Sequence, residues 1–544
     1  MRAGNEAAED TDLARGKPLL WFFCAILASG FLLGIVNRSV AQETPSSPGA
    51  PSSPSPSGTG GTESGSGEPA GPAGGPEGEA SIFRGLRFTP SITFRETFTD
   101  NVDLEPDGQK DPALISEIVP GLDLALRTSR VSWGLNGGVS LRYTALNDEG
   151  FDTEVDLATA LTAEIAEDLF FVDAAASVSQ EVLDSEEGSS GAEANTNNLD
   201  TVQNYLVSPY LRNRFGSFMA SELRYSFAYG NFGGGEASDT IDNQASLAVD
   251  AGPAFTTYLW GIDAFAASQI RDDDDNVERG AAELNLEIVV VNSLSLLAAG
   301  GYNKFDDGDD GNEVDEPLWE AGFRWAPVPR TELIATYGER DGIMAPRARL
   351  THFFSPRTRL VADYSETLGT SQDLFFDNLR TAGLDEEGRL ADTATGLPFG
   401  ATPTALGIDD RTSETKRASL RITSELGRNS FSLGGTYEDE NTLSEDEDDD
   451  TGNVDEENFT IDAGWTRRLT PSWTGGISGS FSRSQFREDE NNKNTEYTAG
   501  LTIAYAIVPG AELVGSYTFR LQDSTDPEDE FTENAVSLAL ALRF

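Results

Sequence analysis

Segments in which apolar and polar side chains alternate constrain the fold of this chain most strongly. In "VSWGLNGGVSLRYTA" (131–145), apolar residues occupy every second position for most of the segment, and small or polar residues fill the alternate positions. The segment "VSLALALRF" (536–544) has the same period of two. This period is typical of β-strands that have one apolar and one polar face. No comparable helical period occurs outside 18–36, so the sequence predicts an all-β fold.

The connections between these segments also alternate, in length and in charge. Short turns such as "RTSR" (127–130) and "SPRT" (355–358) alternate with long acidic stretches such as "DSEEGSSGAEANTNNLD" (184–200) and "DENTLSEDEDDDTGNVDEE" (439–457). Short turns at one end of a sheet and long loops at the other are typical of transmembrane barrels. The pattern predicts a transmembrane, antiparallel, up-and-down β-barrel of about 22 strands, within a range of about 18 to 24, over 81–544.

Tryptophan supports the same interpretation. Outside 1–41, each tryptophan lies on the apolar phase of its segment, and five of the six lie near a short turn. An aromatic girdle at a membrane interface requires such placement. The predicted girdle residues are Trp133, Trp260, Trp319, Trp325, Trp465 and Trp473.

The charge of the chain excludes one class of partner. With 38 Lys and Arg against 92 Asp and Glu, the formal net charge is −54, so nucleic acid is not an expected partner. A polar inner face and acidic loops account for this negative charge, so the charge does not require a disordered chain.

The N-terminal region predicts targeting and then a tether. The apolar run at 18–36 follows Arg15 and Lys17, and small residues precede a predicted cleavage after Ala41. We interpret 1–41 as a signal peptide for secretion across the inner membrane, with an uncleaved anchor as the alternative. Residues 42–80, rich in Pro, Gly and Ser, are predicted to be a disordered linker. Since Cys24 is the sole cysteine, the mature chain has no disulfides or thiolate ligands.

The C-terminal segment has a predicted role in closure. Its apolar face is expected to meet lipid, and the strand must pair with the first strand to remove the free edge of the sheet. The final aromatic residue, with Leu540 and Leu542 on the same face as Phe544, resembles the signal that directs outer-membrane barrels to the barrel-assembly machinery.

Three short stretches resemble a known family. "RFTPSITFRETFTDNVDL" (87–104), "SEIVPGLDL" (116–124) and "SETLGTSQDLFFDNLRTAG" (365–383) resemble outer-membrane barrel proteins associated with PEP-CTERM/exosortase systems, grouped with putative β-barrel porins. The resemblance implies a location in the outer membrane of a Gram-negative cell. It also implies a role beside exopolysaccharide production and envelope protein sorting. It supplies no catalytic residues.

Catalytic and metal-binding motifs are sparse. His352 is the sole histidine and the one candidate base for a barrel enzyme, but its neighbours are those of an ordinary strand residue, so no enzyme is predicted. The acidic loop containing Asp306, Asp307, Asp309 and Asp310 offers oxygen ligands for weak divalent cation binding, without EF-hand spacing. Such cations would bridge the loops to lipopolysaccharide phosphates. No other cofactor is expected.

Charged residues on the polar phase are predicted to face the barrel interior. Two hypotheses account for these charges. The residues pair with one another, or they line a conduit whose charge sets its selectivity. The predicted inner residues are Arg87, Arg95, Arg127, Arg142, Arg224, Arg324, Arg349, Arg421, Arg520, Glu117 and Asp123.

The connection at 368–413 is unusually long and less acidic than the other loops. Long loops in compact domains are commonly functional, and this one is predicted to fold into the barrel as a constriction or plug, with an external lid as the alternative. The sequence therefore favours a porin-like channel or export conduit for small polar solutes in an outer-membrane lipid environment, and the resemblance implies exopolysaccharide as a further candidate. The alternative is a non-conducting structural or adhesive barrel that presents acidic loops.

Overall fold

The computed structural model describes residues 85–146, 150–182, 199–232, 238–271, 276–308, 313–384, 390–392, 412–442, 456–486 and 493–544. The predicted signal peptide and linker lie outside these residues. No helix among the residues described is long and apolar enough to cross a membrane.

The described chain is almost entirely antiparallel β-sheet. The barrel strands are β1 (Leu86–Thr99), β2 (Ala113–Arg127), β3 (Val131–Ala145), β4 (Gly150–Ala166), β5 (Phe170–Val182), β6 (Leu199–Phe215), β7 (Met219–Asn231), β8 (Thr240–Ala251), β9 (Tyr258–Arg271), β10 (Val277–Val291), β11 (Leu294–Asp306), β12 (Val314–Val328), β13 (Thr331–Arg340), β15 (Arg347–Ser355), β16 (Thr358–Gly369), β19 (Ser413–Leu426), β20 (Asn429–Thr442), β21 (Glu456–Arg468), β22 (Trp473–Phe486), β23 (Lys493–Val508), β24 (Ala511–Ser524) and β25 (Phe531–Arg543). The remaining elements are β14 (Ile343–Met344), α1 (Ser371–Thr381), β17 (Ala382–Leu384) and β18 (Leu390–Asp392).

These strands form a closed ring. The main sheet has 23 strands, and omitting the two-residue β14, which pairs only with β13, leaves 22 barrel strands. Each barrel strand pairs with its neighbours in chain order, and β25 returns to pair with β1. The prediction of an all-β, antiparallel barrel of about 22 strands is confirmed.

Closure depends on the last strand of the chain. Phe94 lies opposite Leu540, and the Phe544 N–H donates to the Pro90 carbonyl at 2.9 Å. The β23–β24 turn holds the same strand, because the Arg543 N–H donates to the Gly510 carbonyl at 2.7 Å. Gly510 has φ 85°, and a Cβ there would lie 2.6 Å from the Arg543 carbonyl oxygen, so glycine permits this close approach.

The two ends of the barrel differ as the sequence predicts. The connections after the even-numbered strands β2, β4, β6, β8 and β10 are short, and β1 begins at the same end, which we call the short-turn rim. Most connections at the other end are longer, although the four residues between β3 and β4 are fewer than the six between β8 and β9. The strands extend further into the acidic stretch 439–457 than the alternation indicates, since β20 ends at Thr442 and β21 begins at Glu456.

The two faces of the sheet differ in polarity. Large apolar side chains are exposed on one phase of each strand; Leu501 and Leu538 are each more than half exposed. The opposite phase faces the interior, because its side chains contact a helix that crosses from another part of the ring, as described below.

A pair of cysteines tests closure and register together. Thr93 lies directly opposite Ala541 across β1 and β25, with no hydrogen bonds between the two residues' backbones, a geometry in which Cβ atoms lie close. In a Cys24→Ser background, Thr93→Cys with Ala541→Cys should form a disulfide on mild oxidation. Migration on non-reducing gels reports it.

The matched control places the second cysteine one position away. Because neighbouring side chains on a strand point to opposite faces, Thr93→Cys with Leu542→Cys should not cross-link. Equal cross-linking of both pairs would contradict the register.

Candidate functional site

The inner wall of the barrel is a set of paired charges. Most of the sequence-predicted inner arginines contact carboxylates on a neighbouring strand or on the strand beyond it. The pairs are Arg95–Glu117 at 3.0 Å, Arg142–Glu154 at 3.3 Å, Arg224–Asp173 at 2.8 Å, Arg324–Glu287 at 3.3 Å, Arg349–Asp363 at 2.5 Å and Arg520–Glu496 at 3.1 Å.

Strand register creates these pairs. Glu117 lies opposite Arg95 on one side and opposite Arg142 on the other, so one buried carboxylate serves two guanidinium groups. Opposite charges directly across a sheet stabilise the pairing by about 0.2–1 kcal/mol each. The wall therefore presents both signs of charge at close spacing instead of a ring of one sign.

The other predicted inner residues also lie on the interior phase. Asp123 accepts a hydrogen bond from the Asn136 side chain. Arg87 and Arg127 lie near the short-turn rim. Arg421 and Arg87 are exposed and make no ion pair with any residue that the structure describes.

Five of the six predicted girdle tryptophans lie close to the short-turn rim. Trp133 and Trp260 are the third residues of strands that begin at this rim, and Trp473 is the first residue of β22. Trp325 and Trp465 each lie three residues before the end of a strand that ends at this rim. Trp319 is different: it is the sixth residue of β12, and its indole N–H donates to Glu339 at 3.2 Å.

The predicted assembly-signal residues occupy the last strand. Leu540 and Leu542 point to the outer face with Phe544, which is 74% exposed. His352 lies on the outer phase of β15, where its Nδ1 is 2.8 Å from the Thr331 hydroxyl and its ring meets Phe354 edge-to-face.

The predicted cation loop is described only in part. Asp306 lies 3.2 Å from the Lys304 ammonium, and its carboxylate also accepts the Gly308 N–H. Asp307 is buried. Asp309 and Asp310 lie outside the described residues, and within those residues no group of three acidic, histidine or cysteine side chains is arranged to hold a metal.

A helix that the sequence analysis missed lies against the inner wall. Helix α1 follows β16, and the Asp373 carboxylate accepts the Thr370 backbone N–H at 3.1 Å, half of a capping box. The signal in the sequence was "TSQD" (370–373), a capping-box pattern before a short apolar run.

One face of α1 packs on apolar interior residues. Phe376 is fully buried and Leu379 is 2% exposed. They join a cluster with Leu206, Ala228 and Phe232, from β6, β7 and the connection after β7. The partners Leu206 and Ala228 lie on the phase opposite to the exposed apolar side chains, which identifies this phase as interior.

Charged residues hold the two ends of α1. Arg279 of β10 makes two hydrogen bonds to the Asp373 carboxylate, at 2.8 and 2.7 Å. Near the other end, Arg380 donates to Asp242 of β8 at 2.6 Å, and Asp242 is fully buried. The bidentate hydrogen bonds from Arg279 to Asp373 fix the orientation of the helix as well as its position.

The side-chain amide of Gln372 adds a third polar contact between α1 and the barrel wall. Gln372 is fully buried, and its side-chain oxygen accepts from the Thr240 hydroxyl at 2.7 Å and from the Gln269 amide at 3.0 Å. Its amide nitrogen donates to the Ser238 carbonyl at 3.2 Å. The helix is therefore held by specific polar contacts to β8 and β9 as well as by apolar packing.

Arg279 also belongs to a wider group of charges at this end of the barrel. Burial raises the pKa of the Asp341 carboxyl, in the turn after β13, above its ordinary value, although Arg340, Arg347 and Arg279 act in the opposite direction. The Asn303 amide donates to Asp341 at 3.1 Å.

The segment that begins with α1 reaches the opposite side of the ring. After α1, the β17–β18 hairpin contacts β3 and β4. Since β16 is the fifteenth barrel strand and β4 the fourth, eleven strand positions separate them in either direction around the ring. The segment therefore crosses the barrel interior near the end with the longer connections.

Comparison with known proteins gives structural likenesses alone. No family model matches the chain, and no curated protein matches it. The siderophore receptor PirA from Acinetobacter baumannii is 9% identical over 84% of this chain and 80% of that one, with a TM-score of 0.46. The FrpB iron transporter from Neisseria meningitidis (F3-3 variant) is 9% identical over 85% and 83%, with a TM-score of 0.45.

A third likeness is to Pseudomonas aeruginosa OccK2 (OpdF) in complex with glucuronate. It is 10% identical over 85% of this chain and 99% of that one, with a TM-score of 0.33. At these values the likenesses give no indication of function.

The Arg279–Asp373 contact generates a prediction about α1. Hydrogen bonds to charged groups contribute about 1.5–3 kcal/mol, so Asp373→Asn should raise the opening equilibrium of α1 about tenfold or more. Hydrogen exchange of the 371–381 backbone amides, followed by mass spectrometry, measures this.

Asp377→Asn is the matched control. Asp377 lies on the same helix, but its side chain is 68% exposed, and among the described residues its ion-pair partner is Arg380 of the same helix. Its replacement should leave exchange nearly unchanged. Equal effects of the two substitutions would contradict the anchoring role of Arg279.

Proposed function

We propose that this chain is an outer-membrane β-barrel whose interior is a pore for polar solutes. The segment that starts with α1 narrows this pore. The inward position of α1, held by Arg279 and Arg380, is the observation that carries this proposal. The proposal joins three features: an apolar outer face, a charged inner face, and a segment that occupies part of the cross-section.

The outer face supports a membrane location. Exposed apolar side chains continue around the barrel on one phase, such as Phe94, Leu284, Ile477 and Leu501. Soluble monomers rarely expose apolar surface of this extent. The barrel strands other than β13 and β15 have 12 to 17 residues, and about 9–11 residues span a bilayer, so these strands are long enough.

The dimensions support a pore that α1 narrows without filling it. Twenty-two strands spaced about 4.8 Å apart and tilted about 40° give a backbone diameter of about 40 Å. The 11 residues of α1 have a length of about 16 Å. Because α1 lies against one side of the wall, it covers a fraction of the opening.

The wall chemistry supports polar solutes without a strong preference for one sign of charge. Arginines and carboxylates alternate across neighbouring strands, as in Arg95–Glu117 and Arg142–Glu154. Such a wall offers hydrogen bonds to hydroxyl-rich molecules. Exopolysaccharide is the finer hypothesis for the solute, and it derives from the resemblance to the PEP-CTERM-associated barrels.

The location and partners belong to the same proposal. A signal peptide would direct the chain across the inner membrane of a Gram-negative cell, and the C-terminal strand would direct it to the assembly machinery. The acidic loops would meet lipopolysaccharide, with divalent cations between carboxylates and phosphates. The proposal assigns no catalytic role.

Single-channel conductance of the full chain in a planar bilayer tests the pore. We expect stable steps from the intact protein. Deletion of 370–410 leaves a two-residue connection between β16 and β19 and removes α1 from the interior. The step size should then increase about twofold or more, because α1 no longer occupies part of the opening.

Asp377→Asn is again the control, and its step size should equal that of the intact chain. Silence of both the intact and deleted forms, with folding shown by heat-dependent migration on gels, would contradict the pore. That result would favour the alternative of a structural or adhesive barrel that presents acidic loops.

A further inference from the structure

Four successive connections of the short-turn rim carry exposed arginines. Arg330, Arg357 and Arg428 lie in the turns β12–β13, β15–β16 and β19–β20, and Arg467 lies beside the connection from β21 to β22. These connections join eight consecutive barrel strands, so the four residues follow one side of the rim. We call them the arginine arc.

Backbone hydrogen bonds place three of these arginines at equivalent positions. The carbonyl of Arg330 accepts the Phe353 N–H at 2.8 Å, that of Arg357 accepts the Glu425 N–H at 2.8 Å, and that of Arg428 accepts the Arg468 N–H at 2.9 Å. Each turn is thus fixed to the next hairpin in the same way. Turns of this kind recur about every 12 Å around the rim, two strand spacings apart.

The charges of the arc are not neutralised. None of the four side chains forms an ion pair with a described residue, whereas most predicted inner arginines do. The connections 329–330, 356–357, 427–428 and 469–472 contain no acidic residue. Two nearby carboxylates belong to the interior phase: Glu332 lies 3.7 Å from Arg324, and Glu425 points inward from β19.

The arc differs from the β4–β5 turn, on the far side of the rim, and from the chain as a whole. In the β4–β5 turn, the Glu167 carboxylate forms an ion pair with the Arg130 guanidinium at 3.2 Å, and Asp168 adds a second negative charge. The whole chain has a net charge of −54. The arc is therefore a local departure from the acidity of the chain.

Aromatic residues accompany the arc on the outer face. Trp325, Phe354, Phe431, Trp465 and Trp473 lie on the strands that these turns join, and their exposed fractions are 38% to 58%. Phe431 and Trp465 stack with ring centroids 6.4 Å apart. Exposed aromatic side chains of barrels mark the level of the lipid headgroups.

We propose that the arginine arc binds the phosphates of anionic phospholipids in the leaflet at the short-turn rim. Guanidinium groups bind phosphate oxygens with two hydrogen bonds, and the aromatic side chains beside them fix the depth at which the headgroup lies. The expected ligand is phosphatidylglycerol or another anionic phospholipid, in preference to zwitterionic phosphatidylcholine. This inference rests on the proposed membrane location.

Native tryptophans provide the test, because Trp325, Trp465 and Trp473 lie beside the arc. The full chain, with Trp21→Phe to remove the tryptophan of 1–41, is inserted into vesicles that contain phosphatidylcholine and phosphatidylglycerol in varied ratio. One lipid at a time carries brominated acyl chains, which quench tryptophan fluorescence on contact. The competition gives the relative binding constant of the two lipids at the protein surface.

We expect phosphatidylglycerol to bind about threefold or more tightly than phosphatidylcholine in low salt. The ratio should fall to about one in a variant with R330Q, R357Q, R428Q and R467Q, and also in 1 M NaCl, where charges are screened over about 3 Å. Heat-dependent migration on gels confirms that the variant is folded.

The control variant is R87Q with R421Q, which removes two exposed arginines of the inner wall and should keep the preference. Equal binding of the two lipids by the unsubstituted chain would overturn the inference, as would an unchanged preference in the fourfold variant. Quenching by neither brominated lipid would show that the chain is not inserted, which contradicts the proposed function itself.

Discussion

The pairing of β1 with β25 is the contact on which the rest of the structure depends. A strand at the open edge of a sheet has backbone N–H and C=O groups without hydrogen-bond partners. Such groups are unfavourable in free energy when they are away from water. With Phe94 opposite Leu540 and the Phe544 N–H bonded to Pro90, all the barrel strands have neighbours on both sides. Closure then divides every strand into an outer and an inner face, and it is this division that makes the two phases of the sequence chemically different.

The inner face has two kinds of contact that depend on closure in different ways. Arg95–Glu117 and similar pairs join adjacent strands and need only the local register. The contacts of α1 join elements that are far apart in the ring, because Arg279 and Asp242 bind a segment that starts after β16 and continues to β3 and β4. Those contacts exist only when the wall is curved so that the distant strands face one another.

Much of the fold could be predicted from the sequence because its determinants are local. The alternation in "VSWGLNGGVSLRYTA" fixes both strand and face, and the difference between "RTSR" and the long acidic stretches fixes the end at which each connection lies. Helix α1 could not be found in the same way. Its 11 residues are too few for a clear helical period, and its stability comes from Phe376, Asp373 and their partners on distant strands. The partner of each inner arginine was also beyond prediction, since a shift of two residues in register keeps every face and changes every pair.

The most direct test of a membrane barrel with a polar interior is the accessibility of successive residues of β23 in lipid vesicles. In a Cys24→Ser background, Leu501, Thr502 and Ile503 are replaced one at a time by cysteine and treated with a water-soluble maleimide. The structure predicts labelling of Thr502→Cys, on the interior phase, and protection of Leu501→Cys and Ile503→Cys, which are exposed on the outer phase and would lie in lipid. Labelling of all three, or of the outer positions alone, would contradict a membrane-embedded outer face around a water-filled interior.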